Sequence, residues 1–349
     1  MRRPARLALL ALPALLIILA AGYAGFWYWT ADRARTALQD WAEARRVEGF
    51  AVGWDRYAIG GFPWTLRLTI EKPVFGKAGA DPGFEARAPE LVAFARPWAL
   101  RHWRFTASQG GRLAIEPGQA RPAVRALAAR LAGSIEPDSE AASAGGKSTR
   151  LALAADGLTI DAGAHLAIEH AEAAAVLPQR AAASHLDTWA AATVRGAGIT
   201  LPVAVAPLGA TIDRLEAQIA IKGSIPAGNR RQALEAWRQD GGTVEVETLD
   251  LDWSKLALSA KGTLALDETL QPEGALSASI RGYDAVIDAL VGAGTLKAGD
   301  GAIAKLALGL LAKPGPDGAA QITAPLTLQN GQVYIGPARL ARLPLFTWE

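Results

Sequence analysis

The sequence contains no cysteine, one methionine and only four histidines. The lack of cysteine excludes disulfide scaffolds, thiolate zinc sites, iron–sulfur clusters and cysteine nucleophiles. With 20% charged residues and a formal net charge of +2, the chain also lacks the basic excess that is typical of nucleic-acid-binding proteins. Half of its 349 residues are hydrophobic, so it is not a disordered chain and can bury the core of one large domain or two ordinary ones.

Sequence patterns for catalysis and metal binding are scarce as well. His165 and His170 are five positions apart, a spacing that does not place both on one face of a helix or strand. The segment 145–148 shares only the end of a phosphate-binding loop and follows an Ala- and Ser-rich stretch rather than a strand. The acidic residues from Glu245 to Asp252 fit the solvent face of a strand better than a cation site. We therefore expect no enzyme activity, no catalytic residue, no cofactor and no metal site.

The N-terminal segment has the pattern of a membrane anchor. An uncharged run extends from Leu7 to Trp29, and as a helix it would measure about 34 Å, enough to cross a bilayer. Arginines precede the run, which places the N-terminus in the cytoplasm and the rest of the chain across the membrane. Aromatic rings close the run, where they favour the headgroup region. The expected anchor residues are Arg2, Arg3, Arg6, Trp27, Tyr28 and Trp29.

A cleaved signal peptide is the alternative for this segment. Its apolar run is longer than the stretch of about 7–15 residues that signal peptides carry, and the best small-residue cleavage site, before Gly25, is weak. We favour an uncleaved single-pass anchor in the inner membrane, with the C-terminal domain in the periplasm.

Beyond the anchor the sequence predicts more strand than helix. A helix over 31–46, ending near Gly49, is expected to continue the anchor as a stalk. Apolar and polar residues then alternate, as they do between Leu66 and Glu71. Short helices are expected over 231–238, 283–291 and 302–311, and hairpin turns at Asp156-Gly157 and Asn330-Gly331.

These patterns predict a mainly β, α+β fold. An N-terminal transmembrane helix is followed by a large curved antiparallel β-sheet, half-pipe or barrel-like, with a few helices. The expected parts are a cytoplasmic tip and anchor over 1–30, a helix stalk and first β-rich half over 31–135, and a second β-rich half over 149–349. The two halves are expected to share one continuous sheet.

Two groups of aromatic and turn residues stand out as candidates for a functional site. They are Gly61, Phe62, Pro63 and Trp64, followed later by Pro97 and Trp98. The first group predicts a hairpin connection whose large side chains plug the end of a sheet, and a contact with a ligand or partner is the alternative. The eleven tryptophans likewise indicate either core packing or the lining of an apolar groove or membrane surface.

These residues also carry a family resemblance. Together with the anchor, the matching pieces are Trp41, Gly49, Gly61-Phe62-Pro63-Trp64, Ala88-Pro89-Glu90-Leu91, Arg96-Pro97-Trp98 and His102. In them the chain resembles an uncharacterised family of Gram-negative, inner-membrane-anchored proteins, domain of unknown function 2125. The resemblance implies an anchored exported domain and no particular reaction. The C-terminal half, for example 256–267, is more weakly similar to AsmA-like envelope proteins, which implies a long sheet and a role with lipids.

Two functions are compatible with these expectations. The first is a membrane-anchored periplasmic β-rich protein that binds an acyl chain or lipid in envelope maintenance, without catalysis. The second is a structural or scaffolding module that binds another envelope protein. Neither function involves nucleic acid.

Overall fold

The structure is a computed structural model of the whole chain. It describes residues 3–79, 83–116, 123–137, 148–178, 182, 184–294, 296–315, 320–335, 338–343, 346 and 348; the side chains of 3–14, 311 and 338–341 lie outside this description. The chain divides into two compact units, Met1–Ile135 and Glu136–Glu349.

The first unit begins with one long helix, α1, over Arg3–Val47. Its apolar half and its charged half, predicted as anchor and stalk, form a single unbroken element. The helix ends where Gly49 adopts a φ of +83°, a conformation that glycine reaches without steric cost. The amide of Phe50 donates to the carbonyl of Arg45 and closes the last turn.

Short strands make up the rest of the first unit. In chain order they are β1 (Ala51–Gly53), β2 (Arg56–Gly60), β3 (Leu66–Glu71), β4 (Val74–Lys77), β5 (Gly83–Arg87), β6 (Glu90–Arg96), β7 (Ala99–Ala107), β8 (Gly111–Glu116), β9 (Val124–Ala128) and β10 (Arg130–Pro137). All pairs are antiparallel and fall into two ladders. Ladder A has the order β2-β3-β6-β7-β10, and ladder B has the order β1-β4-β5-β8-β9.

The two ladders are joined by breaks within what would otherwise be long strands. Between β3 and β4, Lys72 has a φ of +45° and is followed by Pro73, while Pro89 lies between β5 and β6. Proline has no amide hydrogen to donate, so a regular ladder cannot pass through these positions. The amide of Lys72 instead donates to the carbonyl of Pro89 (2.8 Å). We call this row of interruptions the strand break.

The described part of the second unit contains longer strands and three helices. The elements are β11 (Ser148–Asp161), β12 (His165–Pro178), β13 (Thr188–Val205), β14 (Gly209–Lys222), α2 (Arg230–Gln239), β15 (Thr243–Trp253), β16 (Leu256–Leu266), β17 (Pro272–Arg281), α3 (Tyr283–Gly292), α4 (Ala298–Leu311), β18 (Lys313–Pro314), β19 (Ala320–Gln329), β20 (Gln332–Ile335) and β21 (Ala338–Arg342). Consecutive strands pair antiparallel from β11 to β17, and β19, β20 and β21 continue the ladder, with β18 on β19.

The main core of the second unit lies where the helix α3 covers the central strands. Ala278 is fully buried and Leu276 and Ile280, on the same face of β17, are nearly so. Tyr283 and Ile287 of α3 pack on them. A second buried point is Trp237 of α2, whose indole Nε1 donates to the carbonyl of Lys222 (2.7 Å).

The structure confirms a mainly β, antiparallel fold with few helices, including helices close to the three predicted after residue 230. The Asn330-Gly331 hairpin is also confirmed, since both residues have positive φ between β19 and β20. The half-pipe or barrel-like curvature and the continuity of the two halves stay predictions.

The predicted hairpin at Asp156-Gly157 is wrong. The strand β11 continues through it to Asp161, and Gly157 is only a local irregularity with a φ of +59°. The reversal falls at 162–164, where Gly163 has a φ of +82°. Pairing of β11 with β12 along the whole strand outweighs the local turn preference. The expected boundary loop and the segment 145–147 lie largely outside the described residues.

Two glycines that flank α3 allow a matched test of this packing. A Cβ on Gly282 (φ +67°) would lie 1.9 Å from the carbonyl oxygen of Lys255, whereas a Cβ on Gly294 (φ +70°) meets nothing within 4 Å. Gly294→Ala should lower the free energy of unfolding by about 1–2 kcal/mol, because alanine is strained in the left-handed backbone conformation. Gly282→Ala should lower the free energy of unfolding by about 1–3 kcal/mol more than Gly294→Ala does, because the backbone must also move away from the new Cβ. Urea unfolding followed by tryptophan fluorescence measures both, and equal losses would contradict this account.

Candidate functional site

The candidate site begins with the contact between α1 and ladder A. Leu66, the first residue of β3, is 1% exposed and packs with Trp27 and Ala31 of the helix. The indole Nε1 of Trp27 donates to the carbonyl of Thr65 (3.1 Å), and the hydroxyl of Tyr23 donates to the carbonyl of Pro63 (2.5 Å). The helix therefore satisfies two backbone carbonyls of the turn between β2 and β3 and holds that turn in place.

Phe62 in this turn is surrounded by rings of the helix. Its ring centroid lies 5.5 Å from that of Trp27 in an edge contact and 6.1 Å from that of Tyr28 in a stacked one. Such ring pairs add to the energy of burial. The predicted antiparallel hairpin at 60–64 is confirmed, since β2 and β3 pair on either side of it.

A second turn lies at the same end of ladder A. Leu66 of β3 pairs with Ala95 of β6, and the chain reverses just beyond, at Pro97 and Trp98, to enter β7. The two turns therefore project from one end of neighbouring strands. We define the aromatic turn cluster as the large, exposed side chains of this end, between 49% and 73% accessible: Tyr28, Trp29, Phe62, Trp64 and Trp98.

Positive charge surrounds the aromatic turn cluster. The guanidinium of Arg33 lies 5.4 Å from the ring centre of Trp29, and that of Arg67 lies 5.7 Å from the ring centre of Phe94. Arg96, immediately before the second turn, is exposed. Aromatic rings flanked by arginines are the combination that proteins place at lipid headgroups.

The structure thus places the aromatic and turn residues singled out from the sequence. Gly61, Phe62, Pro63 and Trp64 form one turn, Pro97 and Trp98 form the other, and Trp27, Tyr28 and Trp29 lie on α1 beside them. They project from an end of the sheet. Arg2 and the side chains of Arg3 and Arg6 lie outside the described residues. In the part of the chain whose side chains are described, no helix carries an apolar stretch long enough to cross a membrane.

A cavity of about 830 Å³ lies along the strand break of the first unit and was not foreseen from the sequence. The strand break is marked in the sequence by two prolines, because Lys72-Pro73 and Ala88-Pro89 interrupt otherwise alternating strands. The cavity is lined by Asp55, Lys72, Pro73, Val74, Arg87, Ala88, Pro89, Gln109, Gly111, Arg112, Leu127 and Ala128. We call it the strand-break cavity.

In the second unit the charged groups form ion networks on the sheet surface. Glu216 of β14 is only 7% exposed and accepts from Arg214 (2.6 Å), Arg195 (3.0 Å) and Gln218 (3.1 Å). These donors hold the pKa of the Glu216 carboxyl at about 2, with Arg214 contributing most. This network was not predicted from the sequence: Arg214 and Gln218 lie two residues from Glu216 on the same face of β14, but Arg195 meets it only through the register of β13 and β14.

Two histidines of the second unit, His165 and His170, pair with carboxylates. His170 lies between Asp156 (2.7 Å) and Glu172 (3.1 Å), whose hydrogen bonds raise the pKa of its imidazole. His165 contacts Asp161 (2.8 Å). Within the described ranges, no group of three or more histidine or carboxylate side chains is arranged to hold a metal ion.

The fold and the two features described above define an antiparallel β-rich protein with a long N-terminal helix packed on its first unit. Residues 27–344 match the model of a family described as an uncharacterized protein conserved in bacteria (DUF2125), and the chain belongs to this family. The resemblance inferred from the turn residues is thereby confirmed. No curated protein and no solved structure matches the chain. Nothing in these matches bears on an AsmA-like relationship, which stays a prediction.

The Glu216 network should make stability depend on pH in acid. Its pKa of about 2 in the folded protein is lower than the ordinary 4.5, so the stabilisation is complete above about pH 4.5 and is lost as the pH falls toward 2. Glu216→Gln should lower the thermal midpoint at pH 7, and its difference from wild type should shrink below pH 4.5. Glu247→Gln, an exposed glutamate of β15, serves as the control. A difference that stays constant with pH would contradict this assignment.

Proposed function

We propose that this protein is a single-pass, non-enzymatic protein of the bacterial inner membrane whose β-rich units lie in the periplasm and bind lipid acyl chains in envelope maintenance. The observation that carries the proposal is the aromatic turn cluster, which brings two turns of the sheet to the aromatic end of the helix's apolar run. The first part of that run, before residue 15, lies outside the described side chains. Its sequence and the preceding arginines support an anchor with a cytoplasmic N-terminus.

The physical argument for lipid contact rests on exposure. Trp64 and Trp98 are 73% and 56% accessible and lie at the tips of tight turns, where water contacts most of each ring. Isolated exposed apolar residues are ordinary, but a contiguous group with flanking arginines marks an interaction surface. An acyl chain that is removed from water gains about 0.8 kcal/mol per CH₂, so contact with ten carbons offers roughly 8 kcal/mol before ordering costs.

A second candidate function, a scaffold that binds another envelope protein, is favoured by one different observation. Ile303, Leu306 and Leu310 of α4 are 69% to 82% exposed and follow helical spacing, so they form one apolar stripe. Ala304 and Leu308 of the same helix pack inward on the core. A stripe of this kind suits the apolar face of a partner protein.

Whether the aromatic turn cluster lies in the membrane can be measured directly, because the chain has no native cysteine. A nitroxide would be attached at Trp64→Cys or Trp98→Cys in the full chain, reconstituted into phospholipid vesicles. We expect both labels to collide more with oxygen than with a water-soluble nickel complex. Val47 is 81% exposed and lies about 30 Å from Trp27 along α1. A label at Val47→Cys should therefore collide more with the nickel complex than with oxygen. Equal exposure to the nickel complex at all three sites would contradict the proposed contact of the aromatic turn cluster with the membrane.

Lipid binding is tested by native mass spectrometry of the full chain, released in mild detergent from its own membranes. We expect a bound phospholipid mass that is lost in the Trp64→Ala, Trp98→Ala double variant, because the variant removes the apolar contact surface. Leu186→Ala, an exposed apolar residue of the second unit, should retain it. A bare protein mass in the wild type would argue against lipid binding and favour the scaffold.

A further inference from the structure

The strand-break cavity contains a pairing that costs the fold energy. Arg87 of β5 lies directly opposite Arg112 of β8 in ladder B. The same row continues outward to Val74 on β4 and to Leu127 on β9. Side chains that are directly opposed across antiparallel strands share one face, so the two arginine side chains leave the sheet next to each other. Like charges in this position are destabilising.

The charges around the pair leave a positive excess. The Arg87 guanidinium contacts the carboxylate of Glu85 (2.5 Å), and the Lys72 ammonium contacts that of Asp55 (2.7 Å), which raises the pKa of Lys72. Arg112 has no ion pair among the residues that the structure describes. Of the three cations that line the cavity, Arg87 and Lys72 each have a carboxylate partner, so the cation without one, Arg112, lies beside Arg87.

The walls of the cavity are of a different character. Pro73, Val74, Ala88 and Leu127 give it an apolar side. Its volume of about 830 Å³ falls within the range of small-molecule sites, and it exceeds what a bare phosphate ion needs.

We propose that the strand-break cavity binds a phosphate ester, with Arg87 and Arg112 holding the phosphate and the apolar wall covering its organic part. Paired guanidinium groups match the geometry of phosphate oxygens and bind them with charge-assisted hydrogen bonds. The phosphate between them removes their repulsion. This proposal needs neither the aromatic turn cluster nor a membrane, because a phospholipid headgroup and a soluble phosphate ester share this chemistry.

The test is calorimetric titration of the full chain in a non-ionic detergent, with two probes. Glycerol 3-phosphate represents the soluble source and dihexanoyl phosphatidic acid the lipid source. We expect at least one to bind, and Arg112→Gln or Arg87→Gln to weaken it by about tenfold or more, as expected for loss of a hydrogen bond to a charged group. Arg104→Gln, an exposed arginine of β7 outside the cavity, removes the same charge and should bind like wild type. Binding of both probes indicates a soluble ester, and binding of the phosphatidic acid alone indicates a headgroup.

A second measurement separates binding from folding. Without any ligand, Arg112→Gln should have a thermal midpoint at or above that of the wild type, because it relieves the repulsion with Arg87. The proposal is overturned if neither probe binds, or if Arg104→Gln weakens binding as much as Arg112→Gln does. A lowered thermal midpoint for Arg112→Gln without ligand would overturn the proposal as well, since the arginine would then stabilise the folded protein.

Discussion

The packing of Trp27 on Leu66 is the contact on which the first unit depends. It buries the start of β3, and the indole hydrogen bond to Thr65 fixes the carbonyl just before that strand. Further along the same helix, Trp41 stacks on Phe75 of β4 at 5.9 Å. One helix therefore holds both ladders, at points about 21 Å apart along its axis. These two contacts fix the turn before β3 and the strand β4 to the helix, and the other strands follow through their pairing.

The fold could be predicted from the sequence where the determinants are local. Alternation from Leu66 to Glu71 specified a half-buried strand, and Asn330-Gly331 specified a tight reversal. The prediction failed at Asp156-Gly157, because the local turn preference competes with a ladder that pairs residues along all of β11 and β12. A single sequence contains the turn signal but not the energy of a distant partner strand.

The aromatic turn cluster and the strand-break cavity show the same difference between local determinants and pairing with distant strands. The turns of the aromatic turn cluster could be anticipated, since the residues of each turn are neighbours in the sequence, whereas their position at one end of the sheet depends on the pairing of β3 with β6. The strand-break cavity could not, because Arg87 and Arg112 come from separate strands and meet only through the register of β5 and β8. The same reason hid the network around Glu216, where Arg195 arrives from the neighbouring strand. Sites that depend on register are visible only once the sheet is assembled.

The unbroken course of α1 has a mechanical consequence. A domain on a flexible linker reorients independently of its tether, whereas α1 runs for about 68 Å without a hinge and is fixed to the sheet at two points. A tilt or rotation of its first turns is therefore transmitted to the ladders as a rigid lever would transmit it. Because the strands of ladders A and B are interrupted at the strand break, bending under such a load would concentrate there and change the width of the cavity.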